Sequence, residues 1–173
     1  MERSAAQERR KAVEQMLEEA GGPVSATALA RRFSVSRQII VGDVALLRAS
    51  GANITATPRG YVLDHPAPGR TYTVACRHSE SEMEQELNLM VDHGCTVESV
   101  VVEHPVYGQL VGQLNLSSRY DVSQFIQKAQ AHDMRPLSEL TDGIHLHTLQ
   151  CRDEQAFQRL VEALRDAGFL VEE

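Results

Sequence analysis

The 173 residues predict an α+β protein in two parts, a winged helix-turn-helix followed by a βαββαβα open sandwich. Periodicity is the first observation. The early chain repeats its apolar residues at i, i+3, i+4 and i+7, which is helical spacing, whereas the later chain switches between period two and period 3.6 in the order β, α, β, β, α, β, α. Charge is the second. Residues 1–64 hold nine Lys and Arg against seven Asp and Glu, a balance of +2, while the rest of the chain stands at −9, for a total of −7. A near-neutral to basic front and an acidic back imply that only the front meets a polyanion.

The first helix is expected over residues 4–20, with Val13, Met16, Leu17 and Ala20 as its buried stripe and Gly21-Gly22 as its stop. Ser25 then caps a short helix over 26–33, whose Ala28, Leu29 and Phe33 face inward. After the turn Ser34-Val35, Ser36 caps a helix over 37–48, with Ile40, Val44 and Leu47 inside and Ser50-Gly51 at its end. Two helices joined so tightly form a helix-turn-helix. Residues 54–57 and 61–63 are β-prone runs around Pro58-Arg59-Gly60, and that hairpin reads as a wing.

In such a fold the second helix of the motif enters the major groove by its N-terminal residues. Ser36, Arg37 and Gln38 are therefore the groove candidates, Arg37 suited to guanine and Gln38 to adenine. Arg59 at the wing tip, with Arg31, Arg32 and Arg48, suits phosphate. Helical trios with a hairpin also dock proteins, but helix, turn, helix, wing and local positive charge together favour DNA. Gly42 weakens the middle of the recognition helix by about 1 kcal/mol relative to Ala.

Residues 65–70 read as a linker, stiffened by Pro66 and Pro68. Residues 71–173 then give strand 71–78, helix 80–93, strands 95–103 and 109–116, helix 121–132, strand 143–150 and helix 153–167. Each helix has one apolar stripe: Met83, Leu87, Met90 and Val91; Val122, Phe125, Ile126 and Ala129; Phe157, Leu160, Val161 and Leu164. Single-faced helices predict a two-layer arrangement on one side of a mainly antiparallel sheet.

Within this part, Gly143-Ile144-His145-Leu146-His147-Thr148 puts two imidazoles on one face of a strand. His78 ends the strand before the first sensor helix, and Glu86 lies on the shoulder of that helix's apolar stripe, after the capping box Ser79-Glu80-Ser81-Glu82. A carboxylate at the edge of a buried face needs a partner. Three imidazoles and a carboxylate suit a borderline divalent metal such as Zn, Ni, Fe or Mn, zinc and nickel foremost, although an exposed strand also carries His as ordinary polar residues. His104-Pro105-Val106-Tyr107-Gly108 reads as a hairpin turn, with His104 and Tyr107 as alternative ligand contacts. Ser117-Ser118-Arg119-Tyr120-Asp121 reads as a helix cap in which Arg119 suits a ligand carboxylate.

Cys76, Cys95 and Cys151 form no Cys-x-x-Cys pair and read as small buried hydrophobes in a reducing cytosol. No signal core and no apolar run of membrane-spanning length is present, so a cytoplasmic protein without membrane contact is expected. There is no Gly-x-Ser-x-Gly, phosphate loop or dinucleotide fingerprint, and an enzyme is not expected.

The front resembles the winged helix of biotin-repressor-type regulators, through Ser36-Arg37-Gln38-Ile39-Ile40-Val41, Asp43 and Leu46-Leu47-Arg48-Ala49. The back resembles the 3H domain, through His78 with Glu86, His104-Pro105-Val106-Tyr107-Gly108, Ser118-Arg119-Tyr120-Asp121 and His145-Leu146-His147. Together they resemble the niacin-responsive transcriptional repressors of Gram-positive bacteria and related lineages. That resemblance implies an HPr-like sensor, a divalent metal on His78, Glu86, His145 and His147, and nicotinic acid as co-repressor. Gly42 departs from the family's recognition helix. Winged helices of this kind pair on palindromic operators, which implies a homodimer. The alternatives are a metalloregulator, in which the metal itself is the signal, and a metal-dependent hydrolase.

Overall fold

The computed structural model describes residues 4–64 and 69–172. The chain divides into two compact units, Met1–Ala67 and Pro68–Glu173. Residues 65–68, most of the expected linker, lie outside the described residues.

The first unit consists of α1 (Ala5–Glu19), α2 (Ala26–Phe33), α3 (Arg37–Ala49), β1 (Ile54–Thr57) and β2 (Gly60–Leu63). A serine begins each helix: the Oγ atoms of Ser4, Ser25 and Ser36 accept the backbone N–H of Gln7, Ala28 and Ile39. Each cap satisfies one amide that the helix itself leaves without a partner. Val13, Leu17, Leu29, Ile40, Val44, Leu47 and Ile54 form the core. Ala28 is exposed, contrary to expectation, while Ala26 and Ala30 are buried. The inward stripe of α2 is Ala26, Leu29, Ala30 and Phe33, the i, i+3, i+4, i+7 set that Ala28 falls outside.

The hairpin β1–β2 is antiparallel, and Val24 adds a bridge to it through Tyr61, with N–H to O distances of 3.0 and 2.8 Å. Gly60, at φ +138°, is required there, since a Cβ would come within 2.5 Å of the Val24 carbonyl carbon. Helices and wing are thereby closed into one small core.

The second unit runs β3 (Arg70–Arg77), a 3-10 turn at Glu80–Glu82, α4 (Met83–Asp92), β4 (Cys95–His104), β5 (Gly108–Leu116) and α5 (Arg119–Ala131). A further 3-10 turn at Leu137–Thr141, β6 (Ile144–Cys151) and α6 (Glu154–Asp166) complete it. The strands lie in the order β3-β6-β4-β5, every neighbouring pair antiparallel. Leu87, Met90, Val122, Leu160 and Leu164 of the helices pack on Val74, Val97, Leu114, Leu116 and Leu149 of the sheet. The fold is α+β with its helices packed on the sheet, as the single apolar stripes predict. The Leu137–Thr141 turn was not foreseen, because five residues are too few to show a helical period.

Two features depart from a regular sheet. The β4 register slips between Val97 and Ser99, and this bulge lets Cys95 and Val97 point inward before it and Val102 after it. The second concerns the cysteines. Cys95 and Cys151 are not free thiols as expected but joined in a disulfide, because β4 and β6 place them directly opposite each other, 4.3 Å apart at Cα. Across 56 residues of sequence that pairing leaves no local signal. Cys76 remains free and buried.

Candidate functional site

The centre of the second unit is a carboxylate under three imidazoles. Glu86 sits on α4 beside Leu87, and its side chain is only 1% exposed. The ion pair to His78 Nε2 measures 2.7 Å, to His145 Nε2 3.0 Å and to His147 Nε2 3.2 Å. β6 supplies His145 and His147 from alternate positions, and its neighbour β3 ends beside His78. The rings meet edge to face, His78 with His145 at 4.8 Å and His145 with His147 at 4.9 Å.

The far side of each ring determines what the near side can do. His78 Nδ1 lies 2.7 Å from the Ser79 carbonyl, His145 Nδ1 2.8 Å from that of Gly143, and His147 Nδ1 3.1 Å from that of Ser99. A carbonyl only accepts, so each Nδ1 carries the hydrogen. Each Nε2 then presents a lone pair to a carboxylate that also has only lone pairs to offer. Either buried imidazolium ions or a cation must resolve that opposition. Protonating all three rings around one Glu would leave surplus buried positive charge, which is costly.

Glu86 and His78 reflect this field. Burial alone would push Glu86 up, but positive charge on the surrounding imidazoles, that of His147 foremost, holds it well below the usual carboxylate range. Burial lowers His78, and Glu86 more than offsets it, leaving the ring raised. His78 Nε2, despite the short approach to Glu86, is off the line of a hydrogen bond and is a buried nitrogen with none. His78, Glu86 and His145 are the tightest set, with donor atoms within 4.8 Å of one another; His147 joins through Glu86. One neighbour escaped the sequence reading: the Cys76 thiol contacts Glu86, and burial with that negative charge pushes it up. Nothing in the sequence marks Cys76 as more than a core residue.

The other candidates are elsewhere. His104 Nδ1 accepts the N–H groups of Val106 and Tyr107, both at 3.2 Å, so its ring braces the hairpin turn, while Tyr107 is 75% exposed. Arg119 makes a bidentate pair with Asp92, at 2.7 and 2.5 Å, which commits the guanidinium expected for a ligand carboxylate. None of these three contacts the Glu86 cluster among the described residues.

In the first unit, Arg37 and Gln38 stand exposed at the start of α3, with Ser36 as the cap beneath them. Arg31 and Arg32 are exposed in the last turn of α2. Arg48 is engaged differently from expectation. Its Nε donates to the Ile54 carbonyl at 2.7 Å and its guanidinium lies over the Tyr61 ring, so it ties α3 to the wing. Arg59 sits in the wing turn, its N–H donating to Thr57 Oγ1. Asp43, buried on α3, is gripped by Arg9 at 2.6 and 3.2 Å and approached by Arg10 at 3.7 Å.

The 3H domain model matches residues 71–173, and an HTH domain model matches residues 9–62. A probable transcription repressor of Thermotoga maritima, NiaR, is 43% identical over 167 residues, 96% of this chain and 95% of its own. The transcription repressor NadR of Bacillus subtilis is 42% identical over 161 residues, 91% of this chain and 89% of its own. No helix among the described residues is long and apolar enough to cross a membrane.

Proposed function

The chain belongs to the 3H-domain family of helix-turn-helix transcription repressors, and from that premise we propose that it represses genes of niacin uptake and NAD biosynthesis with nicotinic acid as co-repressor. It is a regulator, not an enzyme. The effector is sensed beside a divalent ion held by His78, Glu86, His145 and His147. The carrying observation is that three Nδ1 atoms are committed to backbone carbonyls, so that three Nε2 lone pairs converge on Glu86. Carbonyls that fix ring orientation from behind are the usual outer support of metal-bound His.

The donor set fits a borderline ion, zinc or nickel foremost. A bound ion of this kind supplies an electrophilic position that a ring nitrogen or carboxylate of a pyridine carboxylate can occupy. The chain's part is to hold the donors, through β6, the end of β3 and α4, and to keep them dry under the helices. Arg119 stays with Asp92 in this reading, and the hairpin residues His104 and Tyr107 are the remaining effector candidates. For DNA, Arg37 and Gln38 read bases, with Arg31, Arg32 and Arg59 on phosphates. Two copies act together on a palindromic operator in the cytoplasm.

The test is operator affinity of metal-loaded protein with nicotinic acid, with nicotinamide and with neither. Nicotinic acid is expected to tighten binding roughly 5- to 150-fold, the usual span of allosteric coupling, and nicotinamide much less, because it lacks the carboxylate. Should both compounds leave affinity unchanged while added metal alone shifts it, the niacin reading fails and the metalloregulator replaces it.

A further inference from the structure

We infer that the open face of the β3-β6-β4-β5 sheet is where two copies of the chain pair, packed face to face about a two-fold axis parallel to the strands and midway between β6 and β4. This deepens the dimeric reading above and rests on it. An antiparallel sheet with helices on one side ordinarily turns polar residues to water on the other. Here an apolar row crosses all four strands: Ala75 pairs with Leu146, Leu146 with Val101 and Val101 with Val111. None of the four belongs to the packed core, although their inward neighbours Val74, Cys76 and Val102 are buried. Val111 is 52% exposed, and Ile144, one position along β6's open face, is 42% exposed. The next row, with Thr73, Thr148 and Gln113, is polar, so the apolar row is a bounded stripe.

The register identifies a second copy as the occupant. The proposed axis exchanges β3 with β5 and β6 with β4. It places Ala75 against the partner's Val111 and Leu146 against the partner's Val101, setting the smallest side chain of the row opposite the most exposed one. The charges in the adjoining row also agree. Arg77 pairs with Ile144 at one side of the sheet and Glu103 with Gln109 at the other. The same operation brings Arg77 over the partner's Gln109, beside the partner's Glu103, twice by symmetry. An apolar centre with a charged rim is the ordinary anatomy of such an interface, and aligned sheets pack in this way within about 30°.

The full chain, weighed in solution by light scattering across a dilution series, tests the assignment. Wild type is expected at twice the chain mass. Val111→Glu and Ala75→Glu, changes on opposite outer strands, should each weaken pairing about tenfold or more, with circular dichroism and metal content unchanged. Glu103→Arg should weaken it as well, and Arg77→Glu with Glu103→Arg should restore it to within a few-fold, a rescue that mere loss of stability does not produce. A wild-type dimer indifferent to Val111→Glu, Ala75→Glu and Glu103→Arg overturns the surface while leaving the dimeric repressor intact. A wild-type monomer at every concentration overturns both.

Discussion

Asp43 and Glu86 are each a buried carboxylate on a helix, and their partners give them opposite roles. Asp43 meets a guanidinium, which donates, and the pair is satisfied within the protein. Asp43→Asn should therefore destabilise the first unit by about 2–3 kcal/mol, less than the roughly 3–5 kcal/mol of a fully buried pair because Arg9 remains 21% exposed. Urea unfolding of the variant measures it. Glu86 meets three ring nitrogens whose hydrogens are engaged elsewhere, the arrangement that the proposed metal site rests on. Its folded value is depressed, so in metal-free protein its contribution to stability is full above the ordinary glutamate value of about 4.3 and is lost as pH falls through the lower folded value. Glu86→Gln should thus cost most near neutrality, and its deficit should shrink in acid. A deficit independent of pH between 3 and 7 would show that the carboxylate's charge contributes nothing. That His78, Glu86, His145 and His147 come together was legible from alternation and from a carboxylate on the shoulder of an apolar stripe. The carbonyls behind the rings were not, because backbone acceptors leave no trace in residue identity.

At the scale of elements, periodicity and turn chemistry located the α-helices and strands among the described residues to within a few residues, since each α-helix carries one apolar stripe and the sensor strands one buried face. What it missed depends on neighbours across the fold. Cys95 and Cys151 meet only because β6 lies between β3 and β4, and no spacing along the chain encodes that order. Arg48 looked like a phosphate contact because it is cationic and near the end of α3, but the wing carbonyl of Ile54 takes its Nε. This separates two substitutions. Arg48→Ala should lower stability by about 1.5–3 kcal/mol through the lost charged hydrogen bond, and should weaken DNA binding only as the wing shifts. Arg37→Ala should leave stability within about 0.5 kcal/mol and relax base preference by about 1–3 kcal/mol. Thermal unfolding and a panel of operator variants measure the two effects. Equal stability losses would place Arg37 in the scaffold. Similarly, His104 is an obvious ligand candidate by residue type, yet its Nδ1 closes the turn it belongs to.

For the whole molecule, an acidic sensor and a near-neutral to basic reader imply that the effector acts on DNA indirectly, since its proposed site lies in the unit that the charge keeps off the polyanion. Indirect action has a thermodynamic signature independent of the route. If nicotinic acid tightens operator binding by some factor, operator must tighten nicotinic acid by the same factor, about 1–3 kcal/mol in typical couplings. The proposed metal site extends the argument to residues. His145→Ala removes a donor whose ring faces Glu86 at 3.0 Å, so it should reduce metal content and abolish the effector's influence on DNA, yet leave effector-free operator affinity near that of wild type. Calorimetric titration of nicotinic acid into the protein with and without operator, beside operator titrations with and without nicotinic acid, closes the cycle. Two unequal factors would mean that a further process, such as metal loss or a change of oligomeric state, takes part in one of the titrations. A His145→Ala protein that still answers to nicotinic acid would move the effector site away from the Glu86 cluster, toward the hairpin that presents Tyr107.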